Sequence, residues 1–420
     1  MGAVTESDRI LTLDVLRGVA VMGIFSVNVV AFAMPEQAYF NPSAYGGTRG
    51  ASLLVWLANF VLVDGKMRGL FSLLFGASTL LVIQRAQAAG LSPASVHYRR
   101  MLWLLVFGLC HFYLIWYGDI LSLYAIDGLL LYLFRNQPVR RLLYWAAGFL
   151  ILDLLVMGAM GWSFLALEAA AHAPHASAAT LASWHDFSHD FAPPAADALA
   201  RDLAVYRGSW GGIVRDRLAH AAGDPLMQAV FASPETLGYM LLGMAGLKSG
   251  FLTGAWDPAR YRRIAVVGLV IGVPAYALLA WNGWRSEFST GIIFVDFFAV
   301  ATPFRLLMMG AYASLIILFA RRAGALRDRI AAAGRAAFTN YLGTSLAASL
   351  LFNGYGLGLY GHMARWQAWL VAPCFWAAML LWSKPWLDRF RYGPFEWAWR
   401  SLARWSPQPM RRPAPVVVPA

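Results

Sequence analysis

The chain has 420 residues, of which 59% are hydrophobic, 15% aromatic and only 13% charged. About a quarter of the residues of a typical soluble domain are charged, so this composition excludes an ordinary soluble protein. It predicts an all-α, polytopic membrane protein in contact with the lipid bilayer. The formal net charge of +12 does not require a nucleic-acid partner, because cytoplasmic loops of membrane proteins collect Lys and Arg. We expect no nucleic-acid partner, and no pattern indicates an oligomeric state.

Ten apolar runs are long enough to cross about 30 Å of hydrocarbon. They fall near residues 12–33, 67–84, 101–117, 120–134, 142–165, 226–247, 264–281, 304–320, 336–357 and 367–383. Lys and Arg concentrate in alternate connecting segments, which the positive-inside rule assigns to the cytoplasm. The pattern therefore predicts a multi-pass protein of the inner (plasma) membrane with both termini in the cytoplasm.

The segments outside these runs complete the predicted organisation. Residues 51–63 are apolar but only about 20 Å long as a helix, too short to span, and they lie on the outer interface or re-enter it. Residues 166–225 predict amphipathic helices over the outer mouth of the bundle, and the Trp-rich segment 384–404 predicts an interfacial helix on the cytoplasmic side. A single membrane domain would then cover residues 1–406, followed by a disordered, basic, Pro-rich tail, 407–420.

Polar side chains inside the apolar runs are the first candidates for a site. Arg17 and Asn28 fall within about 20° of each other on a helix, with Asp14 about 60° from Arg17, so a polar stripe follows one side of the first span. Such residues normally face a bundle interior or a wet cavity, which makes these three and Asn340, at the start of the ninth span, candidate functional residues. Alternatively, Asp14 and Arg17 only cap the cytoplasmic end, a role for which Asn28 lies too deep.

A histidine and an aspartate mark a second candidate. His111 lies about six residues from the outer end of the third span, at a depth similar to that of Asn28, and Asp119 occupies the outer hairpin above it. A carboxylate beside an imidazole is the usual arrangement for a histidine that moves protons, so we expect Asp119 to orient His111. The alternative is a core histidine bonded to a backbone carbonyl.

Two groups of cations are candidate anion sites. Asp64, Lys66 and Arg68 form a charged knot that either binds a phosphate or carboxylate or anchors the chain at the interface. Arg99 and Arg100 abut a predicted cytoplasmic helix end, where a phosphorylated donor such as acetyl-CoA or another acyl-CoA would need cations. Topology alone also predicts arginines at that position.

The sequence gives no firm metal site. His185 and His189 are spaced to share one helix face beside two carboxylates, which suits zinc. Histidines that bind no metal are, however, more common in a solvent-exposed loop than zinc ligands are. Cys110 and Cys374 lie in apolar spans and predict neither a disulfide nor a metal ligand. We therefore expect no metal.

Several stretches resemble the YeiB-like family, bacterial inner-membrane proteins catalogued as a domain of unknown function. They cover nearly the whole chain in order: RILTLDVLRGVAVMGIFSVN (9–28), DGKMRGLFSLLFG (64–76), RRMLWLLVFGLCHFYLIWYGDILSLYAIDG (99–128), LGYMLLGMAGLKSG (237–250), GRAAFTNYL (334–342), GYGLGLYG (354–361) and WLDRFRYGPFEWAWR (386–400).

The Leu-Arg-Gly first helix is in turn similar to that of transmembrane acyltransferases, among them heparan-glucosaminide N-acetyltransferase. This similarity implies transfer of an acyl group from a cytoplasmic acyl-CoA to a small-molecule, lipid or glycan acceptor outside, with Asn28 at a functional position. The similarity also implies a catalytic histidine shortly after Asn28, but residues 29–63 contain none. Either His111 supplies the base from another helix, or this branch has lost the chemistry. A transporter or flippase that uses the same polar path is the alternative function.

Overall fold

The structure is a computed structural model that describes residues 10–412. Over this range the chain is helical, as predicted, and extended backbone pairs only at the isolated bridge between Phe390 and Arg411. The α-helices are α1 Leu11–Ala33, α2 Gln37–Phe40, α3 Gly50–Leu62, α4 Lys66–Ala88, α5 Pro93–Leu114, α6 Leu121–Leu131, α7 Val139–Ala171, α8 Ala178–Ser188, α9 Ala196–Tyr206, α10 Trp210–His220, α11 Asp224–Lys248, α12 Pro258–Arg285, α13 Thr290–Phe294, α14 Ala301–Ala320, α15 Ala325–Arg335, α16 Ala337–Phe352, α17 Arg365–Trp369, α18 Val371–Arg389 and α19 Pro394–Ala403.

Five helical stretches of the described chain are long and apolar enough to cross a membrane. They are Leu11–Ala33, Gly50–Ala88 (α3 and α4 together), Val139–Ala171, Pro258–Arg285 and Thr290–Ala320. Of the other predicted spans, two form shorter helices, α6 with 11 residues and α16 with 16, whereas α5 and α11 have 22 and 25 residues. The protein thus has the helices of a membrane protein, while the ten-span count and the cytoplasmic termini stay predictions.

Helix α1 lies in the middle of the fold and packs against α4, α14, α15 and α16. Glycines allow the closest approach: a Cβ at Gly18 would collide with the carbonyl oxygen of Ile330, and one at Gly334 with that of Asp14. Small residues let helix backbones touch in this way in membrane proteins. The polar side chains of α1 are therefore held in the interior of the bundle.

The predicted insertion 166–225 contains the end of α7 and the short helices α8, α9 and α10. It is tied to the bundle by arginines, because Arg217 donates to the carbonyl of Phe112 (2.7 Å) and Arg207 to that of Tyr360 (2.9 Å). These bonds place α9 and α10 over the end of the bundle that contains the C-terminal ends of α1 and α5.

The predicted C-terminal helix 384–404 is divided in two, since α18 continues to Arg389 and α19 is separate. Glu396 on α19 caps α16 by accepting hydrogen bonds from the backbone N–H groups of Phe338 (2.7 Å) and Thr339 (3.1 Å). The predicted tail lies outside the described residues beyond 412. Its first residues are held by backbone bonds, such as that from Arg391 to Met410 (2.8 Å).

Candidate functional site

His111 and Asp119 form a buried pair near the end of α5. His111 Nδ1 lies 2.9 Å from Asp119 Oδ1, and each residue is only 1% exposed. The other carboxylate oxygen accepts from the backbone N–H (2.8 Å) and the hydroxyl (2.7 Å) of Ser122, at the start of α6. The carboxylate is therefore fixed from both sides, and it orients the imidazole with Nδ1 as the donor, which leaves the lone pair on Nε2.

The second ring nitrogen of His111 is available for chemistry. Nε2 is buried and has no hydrogen-bond partner among the described residues. Aromatic rings enclose the imidazole: Tyr341 lies 5.2 Å and Trp116 6.2 Å away between centroids, and Trp116 stacks on Phe32. An oriented imidazole with a free nitrogen in a dry environment is the geometry of a general base.

A narrow pocket runs along α1 beside this pair, and we call it the Asn28 pocket. The empty space within it, including space open to solvent, is about 200 Å³, and its lining residues are Val21, Ile24, Phe25, Asn28, Phe32, Tyr341, Thr344 and Ser345. Along α1 the pocket extends from Val21 to Phe32, a rise of about 16 Å. Tyr341 lines it and also contacts the His111 ring, so one aromatic side chain separates the pocket from the imidazole.

The Asn28 side chain is free to bind a ligand. It lines the pocket and makes no hydrogen bond within the described part of the chain. The nearby hydroxyls are occupied, since Thr344 donates to the carbonyl of Asn340 (2.7 Å) and Ser345 to that of Tyr341 (3.1 Å). The amide of Asn28 is thus the polar group of this pocket that needs a partner.

Arg17 lies at the other end of α1 and has a different environment. It bonds to Asp14 (3.1 Å), to the hydroxyl of Ser78 on α4 (2.8 Å) and to the carbonyl of Gly334 (3.5 Å). The Asp14–Arg17 pair therefore joins α1 to α4 and α15. The structure does not bring this pair to Asn28, because eleven residues of helix separate them by about 16 Å.

The side chains of the charged knot, Asp64, Lys66 and Arg68, each contact a different partner. Asp64 accepts from the Tyr39 hydroxyl at 2.5 Å, and Lys66 donates to the Phe60 carbonyl at 2.5 Å. The Lys66 ammonium also lies 3.0 Å from the centroid of the Tyr276 ring. The three side chains therefore do not form one anion pocket.

Arg68 belongs to an ion-pair cluster that sequence reasoning missed. Glu235 on α11 accepts from Arg68 (2.5 Å), from Arg305 on α14 and from the hydroxyl of Tyr239 (2.9 Å). Glu235 and Arg305 are 4% and 5% exposed. The available signal was a carboxylate inside the apolar run 226–247, which requires a buried cation.

Asn340 joins helices. Its amide nitrogen donates to the Ala333 carbonyl (3.0 Å) and the Ser383 hydroxyl (3.3 Å), and its oxygen accepts from the Trp382 indole (2.8 Å). It does not line the Asn28 pocket. All its polar atoms are used inside the protein, which leaves none for a substrate.

Arg99 and Arg100 lie at the opposite end of α5 from His111. Arg99 is exposed, whereas Arg100 packs on Trp399 of α19, 4.1 Å from the ring centroid. Burial, together with the smaller effect of the nearby cations Arg400 and Arg404, lowers the pKa of Arg100 to about 9. This cluster of like charges would be stabilised by a phosphate.

The described residues contain no group of three or more His, Cys, Asp or Glu side chains positioned to hold a metal ion. His185 and His189 each lie against their own aspartate neighbour, at 3.5 and 2.9 Å, and are exposed. Cys110 and Cys374 are free thiols.

The chain is similar to known bacterial proteins over nearly its whole length. It is 31% identical to the uncharacterized protein YxaH of Bacillus subtilis, over 97% of both chains. It is 30% identical to the uncharacterized protein YeiB of Escherichia coli, over 94% of this chain and 96% of that one. Residues 247–406 match the family model described as "Protein of unknown function (DUF418)". No solved structure matches the chain.

Proposed function

This chain, whose residues 247–406 match the DUF418 model, belongs to the YeiB-like family, and we propose that it is a transmembrane acyltransferase. In this proposal a multi-pass protein of the inner membrane takes an acyl group from a cytoplasmic acyl-CoA and transfers it to an extracytoplasmic acceptor. The observation that supports it is the oriented His111–Asp119 pair, whose free Nε2 belongs to a ring that packs on Tyr341, a wall of the Asn28 pocket.

The chemistry follows from the roles of these groups. His111 Nε2 removes the proton of an acceptor hydroxyl or amine while the acceptor atom bonds to the thioester carbonyl carbon. The carbon–sulfur bond then breaks, and the imidazolium returns the proton to the coenzyme A thiolate. Asp119 accepts the hydrogen bond from Nδ1 and stabilises the imidazolium, as in other carboxylate–histidine pairs. The Asn28 amide donates to the oxyanion that forms on the carbonyl oxygen.

The two ends of the fold suit the two substrates. Arg99 and Arg100, beside α19, offer cations to the phosphates of the donor, and the apolar walls of the Asn28 pocket suit the thin acyl–pantetheine arm. Asp14 and Arg17 hold α1 in place between α4 and α15. Their contribution is to position the pocket rather than to bind substrate.

The test is acyl transfer by the protein reconstituted in vesicles. Radiolabelled acetyl-CoA is supplied on one side, and glucosamine and glucose are supplied on the other as probe amine and hydroxyl acceptors. We expect His111→Gln to lower transfer by about 10²–10⁴-fold, the usual contribution of a general base, while acetyl-CoA binding is retained.

His97 provides the matched control. It lies on the same helix and is equally buried, but its Nε2 already contacts the Gly128 carbonyl at 2.8 Å. His97→Gln should therefore keep transfer within a few-fold of wild type. Equal transfer by His111→Gln and wild type would disprove the proposed role.

A transporter is the second candidate, and the buried charges support it. Glu235, Arg68 and Arg305 cluster in the interior, and the fully buried Asp127 of α6 forms no ion pair among the described residues. Buried ionisable groups in membrane proteins often mark solute or proton paths. This candidate predicts solute flux without coenzyme A that is lost in Glu235→Gln and kept in His111→Gln.

A further inference from the structure

A second pocket lies on the face of α1 turned away from His111. Val27 and Val30 line it, whereas Asn28 and Phe32 line the Asn28 pocket, and at about 100° per residue these two sets point to roughly opposite sides of the helix. Its empty volume is about 290 Å³. We call it the Arg365 pocket, and the proposed acyl transfer does not use it.

One wall of this pocket carries an arginine without an acidic partner. Arg365, at the start of α17, is 1% exposed. One of its terminal nitrogens donates to the carbonyls of Ala38 (2.8 Å) and Tyr45 (3.0 Å), but its Nε is buried and has no hydrogen-bond partner between residues 10 and 412. No carboxylate of the described residues forms an ion pair with it. A buried guanidinium with an unused donor needs an anionic oxygen to offset its desolvation.

Another wall of the same pocket carries a carboxylate. Asp64 lines it and accepts one side-chain hydrogen bond, from Tyr39, at 2.5 Å. Lys66 and Arg305 lie near Asp64, but neither forms an ion pair with it: Lys66 faces the Tyr276 ring and Arg305 binds Glu235. Asp64 therefore keeps capacity to accept a hydrogen bond from a ligand.

The space between these walls is mainly aromatic. Trp56, Phe60 and Phe297 line it, with Phe60 and Phe297 packed at 4.5 Å between ring centroids. Aromatic walls lower the local dielectric, which strengthens the polar interactions at both ends. A few placed polar groups in an apolar cleft are the usual composition of a small-molecule site.

We propose that the Arg365 pocket binds a small α-amino or α-hydroxy carboxylate, with its carboxylate on Arg365 and its ammonium or hydroxyl on Asp64. Such a ligand supplies both missing interactions at once. A simple anion would leave Asp64 without a new partner and close to a like charge. A simple cation would leave Arg365 unpaired.

The experiment measures ligand-induced thermal stabilisation of the purified full-length protein in detergent. The probes are glycine, glycolate and acetate at millimolar concentration, which distinguish an ammonium, a hydroxyl and no donor beside the carboxylate. Glycine or glycolate should raise the melting temperature in a saturable way, and acetate should do so about tenfold more weakly. Equal stabilisation by acetate, or none by any of the three, would overturn the proposal.

Variants identify the pocket. Asp64→Asn keeps an oxygen for the Tyr39 hydroxyl but loses the charge, and Arg365→Lys keeps a charge for the two carbonyls but loses Nε and the planar fork. Each should weaken binding of the effective probe by about tenfold. Arg49→Gln, at an exposed arginine outside the pocket, should leave it unchanged. Binding that survives in both pocket variants would place the site elsewhere.

Discussion

Trp399 and Arg100 contact each other in two ways. The Trp399 indole donates a 2.9 Å hydrogen bond to the Arg100 carbonyl, and the Arg100 guanidinium lies 4.1 Å from the centroid of the same indole. These contacts fasten α19 to the start of α5. Arg100 thus has a structural role as well as the proposed role in donor binding, whereas the neighbouring Arg99 is exposed.

Arg99→Gln should weaken acetyl-CoA binding without affecting folding. A charge-assisted hydrogen bond contributes about 1.5–3 kcal/mol, so we expect at least about a tenfold increase in Kd. The stability of the protein without ligand should change by less than about 0.5 kcal/mol. Thermal unfolding with and without acetyl-CoA measures both quantities.

The control for this experiment is Arg322→Gln, at an exposed arginine between α14 and α15. It should leave acetyl-CoA binding unchanged. Arg100→Gln should lower binding and stability together, because it also loses the contact with Trp399. A donor site near Arg99 would be contradicted if Arg99→Gln and Arg322→Gln had the same effect.

Asn28→Ala should impair acyl transfer and leave stability nearly unchanged. Asn28 makes no hydrogen bond within the described chain, so its removal breaks no internal contact. Loss of one oxyanion donor lowers kcat by about 10²–10³-fold. Transfer assays in vesicles and thermal unfolding in detergent provide the two readouts.

Asn340→Ala is the matched comparison, since its amide is fully bonded to Ala333, Ser383 and Trp382. It should destabilise the protein by about 1–3 kcal/mol, because buried partners lose their hydrogen bonds. A stable Asn340→Ala protein, or an unstable Asn28→Ala protein, would contradict the roles that the structure gives these two residues.

Gly243→Ala should destabilise the contact between α4 and α11. A Cβ at Gly243 would collide with the backbone carbonyl of Leu73, and one at Gly76 with that of Met240. Backbone atoms cannot move aside as a side chain can, so the helices must separate, at a cost of about 1–3 kcal/mol or more. Gly148→Ala on α7, where a Cβ meets no atom within 4 Å, should be neutral or slightly stabilising. Similar melting temperatures for Gly243→Ala and Gly148→Ala would refute this packing.

Acid should destabilise the protein partly through His97. Burial lowers the pKa of His97 from 6.5 to about 4, an effect that its bond to the Gly128 carbonyl only partly offsets. Because the unfolded chain binds this proton more readily, the stabilising contribution is complete above pH 6.5 and is lost as the pH falls towards 4. The total effect is about 3 kcal/mol.

His97→Gln tests this contribution, since it keeps a donor for Gly128 and removes the titration. Between pH 7.5 and 4.5 its melting temperature should fall less than that of wild type. Asp202 makes the folded state more stable as the pH falls, because burial raises its pKa to about 6. The test is therefore the difference between His97→Gln and wild type, not the pH dependence of either protein alone. Equal acid sensitivity of the two proteins would contradict the assignment to His97.

Part of the candidate site could be predicted from the sequence. His111 and Asp119 are eight residues apart across a tight turn, so their contact depends on local geometry that the chain itself specifies. The depth of Asn28 follows from counting along one helix. By contrast, Asp14, Arg17 and Asn340 look alike in the sequence as polar residues in apolar runs, and only their partners on other helices show that they join α1 or α16 to its neighbours.

The sequence by itself determined the all-helical membrane class, because composition and apolar periodicity act on each segment separately, and its similarity to known proteins determined the family. The tertiary structure decided which polar groups are used and which remain free. Glu235 on α11 binds Arg68 of α4 and Arg305 of α14. Arg365 and Asp64, some three hundred residues apart in the chain, line the same pocket. Such pairings depend on how helices pack, and packing is set by glycine contacts and ring stacking that no single segment encodes.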